Sequence, residues 1–122
     1  EEGRLFVADT WNLRIQAFRE TTPGVFDPVA EWPIEGWFGQ SLENKPYLSV
    51  SPEGPVCASD PEGFRILCFS QEGEFILGWG TYGPGPSQFG LPNGVAFDTE
   101  GRLWVVDSAN GRVTRFAPAF PE

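Results

Sequence analysis

The stretch GRLWVVDSANGRVTRF, residues 101–116, decides the fold, because the chain writes it three times. Its first arm, LWVV, is apolar and rich in β-branched and aromatic residues, which suit a pleated, packed surface. The middle, DSANG, is polar and carries Asp, Asn and Gly, the residues of tight turns. The second arm, RVTRF, returns as a strand and closes on an aromatic. Strand, turn and strand over 16 residues predict a β-hairpin.

The same pattern stands at 3–18, GRLFVADTWNLRIQAF, and at 54–69, GPVCASDPEGFRILCF. The three stretches align without a gap. Gly opens each one, at 3, 54 and 101. The pairs Asp9/Arg14, Asp60/Arg65 and Asp107/Arg112 recur at one spacing. A β-branched residue follows each Arg, and Phe18, Phe69 and Phe116 end the copies. The offsets are 51 and 47 residues at every position, a period that marks a repeat architecture. The opening glycines follow Glu in EG pairs, which fits turns needing positive φ.

Between the second and third copies, SQEGEFILGWG (70–80) turns at EG and gives a further strand. TYGPGPSQFGLPNG (81–94) is a long Gly/Pro connection, and VAFD (95–98) is a short strand leading into the third copy. The unit is thus four antiparallel strands every 47 to 51 residues, the pattern of one propeller blade. No stretch carries a clean helical stripe. Both faces of the first arms are apolar, as expected of a sheet covered on each side.

Composition narrows the function. With 122 residues, the length suits one small domain. Aromatics are 15%, so the 27 Gly and Pro residues (15 and 12) point to tight turns in a packed chain rather than disorder. The net charge is −9, and the eight Lys and Arg cannot build the basic footprint that nucleic acid or an anionic membrane demands. No apolar run reaches the length of a spanning helix. Histidine is absent, which excludes a Ser-His-Asp or Cys-His arrangement within these residues and removes the commonest zinc ligand.

The motifs ADTWNLRIQAF, VDSANGRVTRF and GPGPSQFGLPNGVAFD resemble NHL repeats. The likeness covers essentially residues 3–118 and is loosest in the second copy, where Gly63 replaces Asn12 and Asn110 and Pro61 interrupts the turn. The resemblance implies an all-β propeller, six-bladed in most members. The expected organisation is a single domain over 1–122 with blade 1 at 3–37, blade 2 at 47–80 and blade 3 at 94–118. Blade 1 lacks its inner strand and blade 3 its outer one. Three blades do not close a ring. The chain is therefore expected to be a fragment of a larger propeller or a subunit that self-associates, two copies closing six blades. The missing blades of a parent chain are the other expected partner.

The leading functional expectation is a non-catalytic scaffold that binds or senses a protein or small ligand, with no cofactor and no metal. The alternative is part of a propeller lyase or lactonase-like hydrolase whose catalytic residues lie in other blades. The Asp–Arg pairs are expected to fix the hairpin turns rather than bind a cation. Trp11 and Tyr82, in a turn and a loop, are candidate exposed contacts. Asn12 and Asn110 share the turn face. Asn93 resembles the metal-ligating Asn of gluconolactonase-like propellers, although one Asn defines no site. The zinc site of the lyases that share the repeat depends on histidines, so that chemistry cannot reside wholly here. The acids Glu1/Glu2 and Glu72/Glu74 read as solvated turn residues. Trp104 is expected in the core, and Trp37 and Trp79 between blades. Cys57 and Cys68 fall opposite each other on one hairpin. A cross-strand disulfide, which would suit an exported protein, and a pair of buried thiols both fit, with thiols favoured. Location is left open, leaning to the cell exterior or envelope.

Overall fold

The computed structural model describes residues 3–34, 37 and 45–121. Glu1 and Glu2, and positions 35–36 of the first expected blade, lie outside the described residues. Three antiparallel sheets carry the chain. The first contains β1 (Arg4–Asp9), β2 (Arg14–Thr22) and β3 (Val25–Pro33), in that order. The second contains β4 (Leu48–Val50), β5 (Val56–Asp60), β6 (Arg65–Phe69) and β7 (Phe75–Trp79). Next come two short strands, β8 (Thr81–Tyr82) and β9 (Gln88–Phe89), paired in parallel. The third sheet contains β10 (Pro92–Phe97), β11 (Leu103–Asp107) and β12 (Arg112–Phe116).

Neighbours in sequence pair in space, so each sheet is a meander. The first arm of every repeat pairs with its second arm in one register: Asp9 opposite Arg14, Asp60 opposite Arg65 and Asp107 opposite Arg112. The central sheet has all four strands. Among the described residues, no strand precedes β1 in the first sheet and none follows β12 in the third. The opening glycines take φ of 77°, 116° and 84°, which a side chain would strain.

The turns between the arms hold a second repeated feature. Leu13, Phe64 and Gly111 stand at one repeat position and take φ of 58°, 61° and 62°. The left-handed conformation is therefore set by the turn, and two copies adopt it with a side chain at a cost of about 1–2 kcal/mol each. The second turn also explains its departure from the motif. A Cβ on Gly63 would lie 2.3 Å from Asp60 Oδ2, so the asparagine of the other two copies has no room there.

Two hydrophobic clusters join the blades. Ile15, Ala17 and Trp32 of blade 1 pack against Ala58, Leu67 and Phe69 of blade 2. Cys57, Ile66 and Cys68, on the other face of blade 2, meet Leu103 and Val105 of blade 3 together with Phe89. The long connection is thus not a featureless loop. Phe89 is fully buried within it, 5.7 Å from the Phe116 ring, and this anchor brings β9 beside β8.

Cys57 and Cys68 are directly opposed across β5 and β6, and their sulfurs are bonded. The thiol reading gives way to the disulfide because the hairpin register places both side chains on the same face. Trp37 is fully buried, its indole N–H donating to the Ser59 carbonyl at 3.0 Å, and Trp79 lies 5.2 Å from the Phe116 ring across the second joint. Trp104 departs from expectation. It is 40% exposed, because its repeat position faces the next blade and none follows blade 3 among the described residues. Its indole N–H instead donates to Asp98 Oδ2 at 2.9 Å, and the Arg115 guanidinium lies 5.5 Å from its ring.

Candidate functional site

The connection at 81–91 meets the turns of blades 2 and 3, Tyr82 against Phe64 and Gly83 against Asn110, and the repeat register puts the blade 1 turn at the same end of its sheet. Each turn is held by its Asp, though by different partners. In blade 1, Arg14 Nε donates to Asp9 Oδ2 at 2.9 Å, and Asn12 Nδ2 donates to both carboxylate oxygens. Those two side chains hold the Asp9 carboxyl below the usual carboxylate range, Asn12 contributing most. In blade 2, Asp60 is buried and Arg65 Nε reaches its Oδ2 at 2.8 Å.

Blade 3 shows a fuller arrangement. Asp107 is buried and accepts from the backbone N–H groups of Gly90 and Leu91 at 3.0 and 2.9 Å. Asn110 Nδ2 donates to it at 2.8 Å and to the Gly83 carbonyl at 3.1 Å. Burial alone would raise the Asp107 pKa, but the Leu91 N–H, the Asn110 amide and the Gly90 N–H outweigh it and leave the net shift downward. Arg112 stands 3.7 Å from Asp107 and spends its donors on the connection: Pro84, Gly85 and Gln88 carbonyls at 2.7, 2.8 and 2.9 Å. In blade 3 the pair thus clamps the preceding connection onto the turn. Sequence reasoning read the pair but missed this reach. The Gly/Pro connection, whose carbonyls need donors, was the available signal.

The candidate contact residues divide into two kinds. Asn12 and Asn110 face their Asp partners. Asn93 Oδ1 accepts from the Ser108 hydroxyl at 2.7 Å, which ties the start of β10 to the turn. Trp11 and Tyr82 stand outward, 76% and 70% exposed. Tyr82 packs edge-on against Phe64 with ring centroids 4.9 Å apart, so it flanks the central turn, while Trp11 occupies the first. Trp11 and Tyr82 are thus the large aromatic groups exposed there, beside the exposed Asn12, Glu62 and Ser108. Among the described residues, no group of three His, Cys, Asp or Glu is arranged to hold a metal ion.

The model of the NHL repeat matches residues 89–116, the stretch from Phe89 to Phe116 that includes this clamp. The chain carries an NHL repeat. Over 80 residues it is 34% identical to NHL repeat-containing protein 3 of Homo sapiens and, to the same extent, to that of Mus musculus. The match takes in 62% of this chain and 22% of each relative, so the chain spans about a fifth of their length. Among solved structures, it superposes on a catalytically inactive histidine-to-alanine variant of virginiamycin B lyase from Staphylococcus aureus with quinupristin. The TM-score is 0.67 at 14% identity, covering 99% of this chain and 37% of the other. A streptogramin B lyase structure gives 0.64 at 16% identity, covering 94% and 34%. At such identities the likeness concerns the fold. The described residues form a partial β-propeller of three blades, with four strands in the central blade and three in each outer one.

Proposed function

We propose that this NHL-repeat propeller segment is a non-catalytic binding module, with Trp11 and Tyr82 as the contact groups of its turn rim. The observation that carries the reading is the division of labour on that rim. Asp9, Asp107, Asn12, Asn110 and Arg112 are bonded within the turns and the connection, whereas the two large aromatics stand in solvent. Exposed Trp and Tyr are the side chains that most often dominate binding energies. The net charge of −9 favours a cationic or basic protein partner. The similar lyase is named as inactive in a histidine-to-alanine variant, and this chain has no histidine, which supports a non-catalytic role for these residues.

The test is selection from a random displayed-peptide library on the purified chain and on the Trp11→Ala/Tyr82→Ala variant. Enrichment of basic sequences by the parent, falling at least about tenfold in the variant, is expected, a loss of about 1.4 kcal/mol. No enrichment, or enrichment equal in both, rejects the rim assignment. A parallel incubation with quinupristin, read by mass spectrometry, is expected to leave it intact. Turnover by the chain overturns the non-catalytic reading.

A further inference from the structure

The residue after the opening glycine of the repeat is Arg4 in blade 1, Pro55 in blade 2 and Arg102 in blade 3. In blade 3 the arginine neutralises its own turn. Arg102 Nε donates to Asp98 Oδ2 at 3.2 Å, and its Nη2 donates to the Glu100 carboxylate. Arg4 reaches across the first joint instead and meets Glu72 of blade 2 at 3.5 Å. Blade 2 keeps the glutamate, Glu53 standing where blade 3 has Glu100, but Pro55 offers it no charge. The Glu53 backbone N–H donates to Ser51 Oγ, and the carboxylate has no donor among the described residues.

A surface cavity of about 460 Å³ lies at this place. It sits between the β4–β5 and β6–β7 turns, at the end of blade 2 opposite the turn that carries Phe64. Pro52, Pro55 and Ile76 give it apolar walls, and Glu53, Gln71 and Glu72 give it acceptors. Gln71 is only 8% exposed. Its amide N–H donates to the Gly54 carbonyl at 2.9 Å. Its Oε1 receives no donor among the described residues and is not sealed from solvent, so it opens into the cavity that Gln71 lines. An acceptor so placed gains from an incoming donor what it forgoes in bulk water.

We propose that this cavity takes the guanidinium of an arginine side chain on a partner polypeptide, the group that the repeat supplies from within in blade 3. A guanidinium carries several N–H donors in one plane and accepts nothing, which suits a carboxylate and an amide oxygen that both lack donors. Glu53 supplies the charge and Gln71 Oε1 the second acceptor, while Glu72 keeps its contact with Arg4. The proline and isoleucine walls cover the aliphatic stem. A free amino acid would bring its own carboxylate toward Glu53 and Glu72, whereas the same side chain within a polypeptide brings none. Phe64 and Tyr82 stand at the other end of blade 2, so the site does not depend on the aromatic contacts of the turn rim. The net charge of −9 draws a basic partner to either end.

The probe is arginine capped as its N-acetyl methylamide, titrated at low salt into the isotope-labelled chain. Two-dimensional NMR reads the backbone amides of Glu53 and Gly54 and the side-chain amide of Gln71. Saturable shifts centred on these groups, with a millimolar dissociation constant, are expected. Glu53→Gln is expected to weaken binding about fivefold, the upper range for a solvent-accessible ion pair. Pro55→Arg returns the repeat's own guanidinium and is expected to abolish binding. The backbone N–H it gains can meet Ser51 Oγ, as the Arg102 N–H meets Asp98 Oδ1 at 2.9 Å. The amide spectrum of each variant reports its fold, and Glu53→Gln, an isosteric change at an exposed residue, decides the matter if Pro55→Arg does not fold. Unchanged binding in Glu53→Gln or in folded Pro55→Arg overturns the proposal. So does the absence of saturable shifts at the three groups, or shifts centred on Phe64 and Tyr82 instead. Free L-arginine is expected to bind more weakly than the capped form, and equal or tighter binding rejects the polypeptide as the source.

Discussion

The central blade and the blades at either end are written in one repeated sequence, yet they sit in opposite environments. Every residue of β5, Val56–Asp60, is buried, whereas β11 alternates buried and exposed along its length. A strand's pattern of burial is therefore a property of its neighbours as much as of its residues. Blade 2 also holds the disulfide, so the sheet with both faces covered is the one with a covalent staple. The end blades rely more on polar work: ion pairs, the Asp107 clamp and the Trp104–Asp98 bond.

The widest separation between the two environments should come from one repeat position. Ile66→Ala, in the second joint, is expected to cost about 2–5 kcal/mol through lost burial and a cavity. Val113→Ala, its exposed counterpart, is expected to cost under about 0.5 kcal/mol. Urea unfolding followed by tryptophan fluorescence measures both, and equal losses would break the comparison. The staple comes next. Opening the Cys57–Cys68 bridge, which spans a sequence separation of 11, is expected to lower stability by about 2–3 kcal/mol. Midpoints of urea curves with and without a phosphine reductant give this number, and identical midpoints would show that blade 2 needs no staple.

The clamp tests the polar side. Asp107→Ala leaves the Gly90 and Leu91 N–H groups without their acceptor and is expected to cost about 2–3 kcal/mol. Asp9→Ala, whose described bonds are to side chains, should cost clearly less. A reversed order in thermal melts would mean that the connection is not held from the turn. The smallest effect is a shift in acid stability. The Trp104 indole N–H, followed by the Arg102 backbone N–H, brings Asp98 down to about 2, against about 3.9 for an unfolded chain. The folded carboxyl holds its proton more weakly, so its stabilisation is complete above about pH 4 and drains as pH falls toward about 2. Trp104→Phe removes the leading donor and is expected to move the acid-unfolding midpoint upward in circular dichroism. An unmoved midpoint would detach Asp98 from acid stability.

Much of the fold was legible because its cause is local. Asp, Gly and Asn mark turns, apolar arms mark strands, and a fixed offset of 51 and 47 residues marks the repeat. What escaped the sequence depends on long-range placement. Trp104 aligns with the partly buried Phe6 and the buried Cys57, so its exposure could not be read without knowing that no described blade follows. Leu13 and Phe64 carry no sign of positive φ, and only Gly111 hints at it. Phe89 looked like part of a loop, because nothing local says that a single aromatic is inserted under the third sheet. At the candidate site, the Asp–Arg spacing was readable, whereas the bonds to residues 83–91 cross 16 to 28 positions of chain. Trp11 and Tyr82 were readable as exposed because both fall among turn residues.

Each blade has two unlike faces, one met by the blade before it and one by the blade after it, so the described stack has a direction. A surface that mates with its own kind is used up in a single encounter. A surface that mates with a different one always leaves a fresh end behind, so addition can continue until the far end comes round to meet the first. Whether blades joined in this way close as a ring is then fixed by the rotation from one blade to the next, and strengthening the contact without changing that angle would not move the outcome.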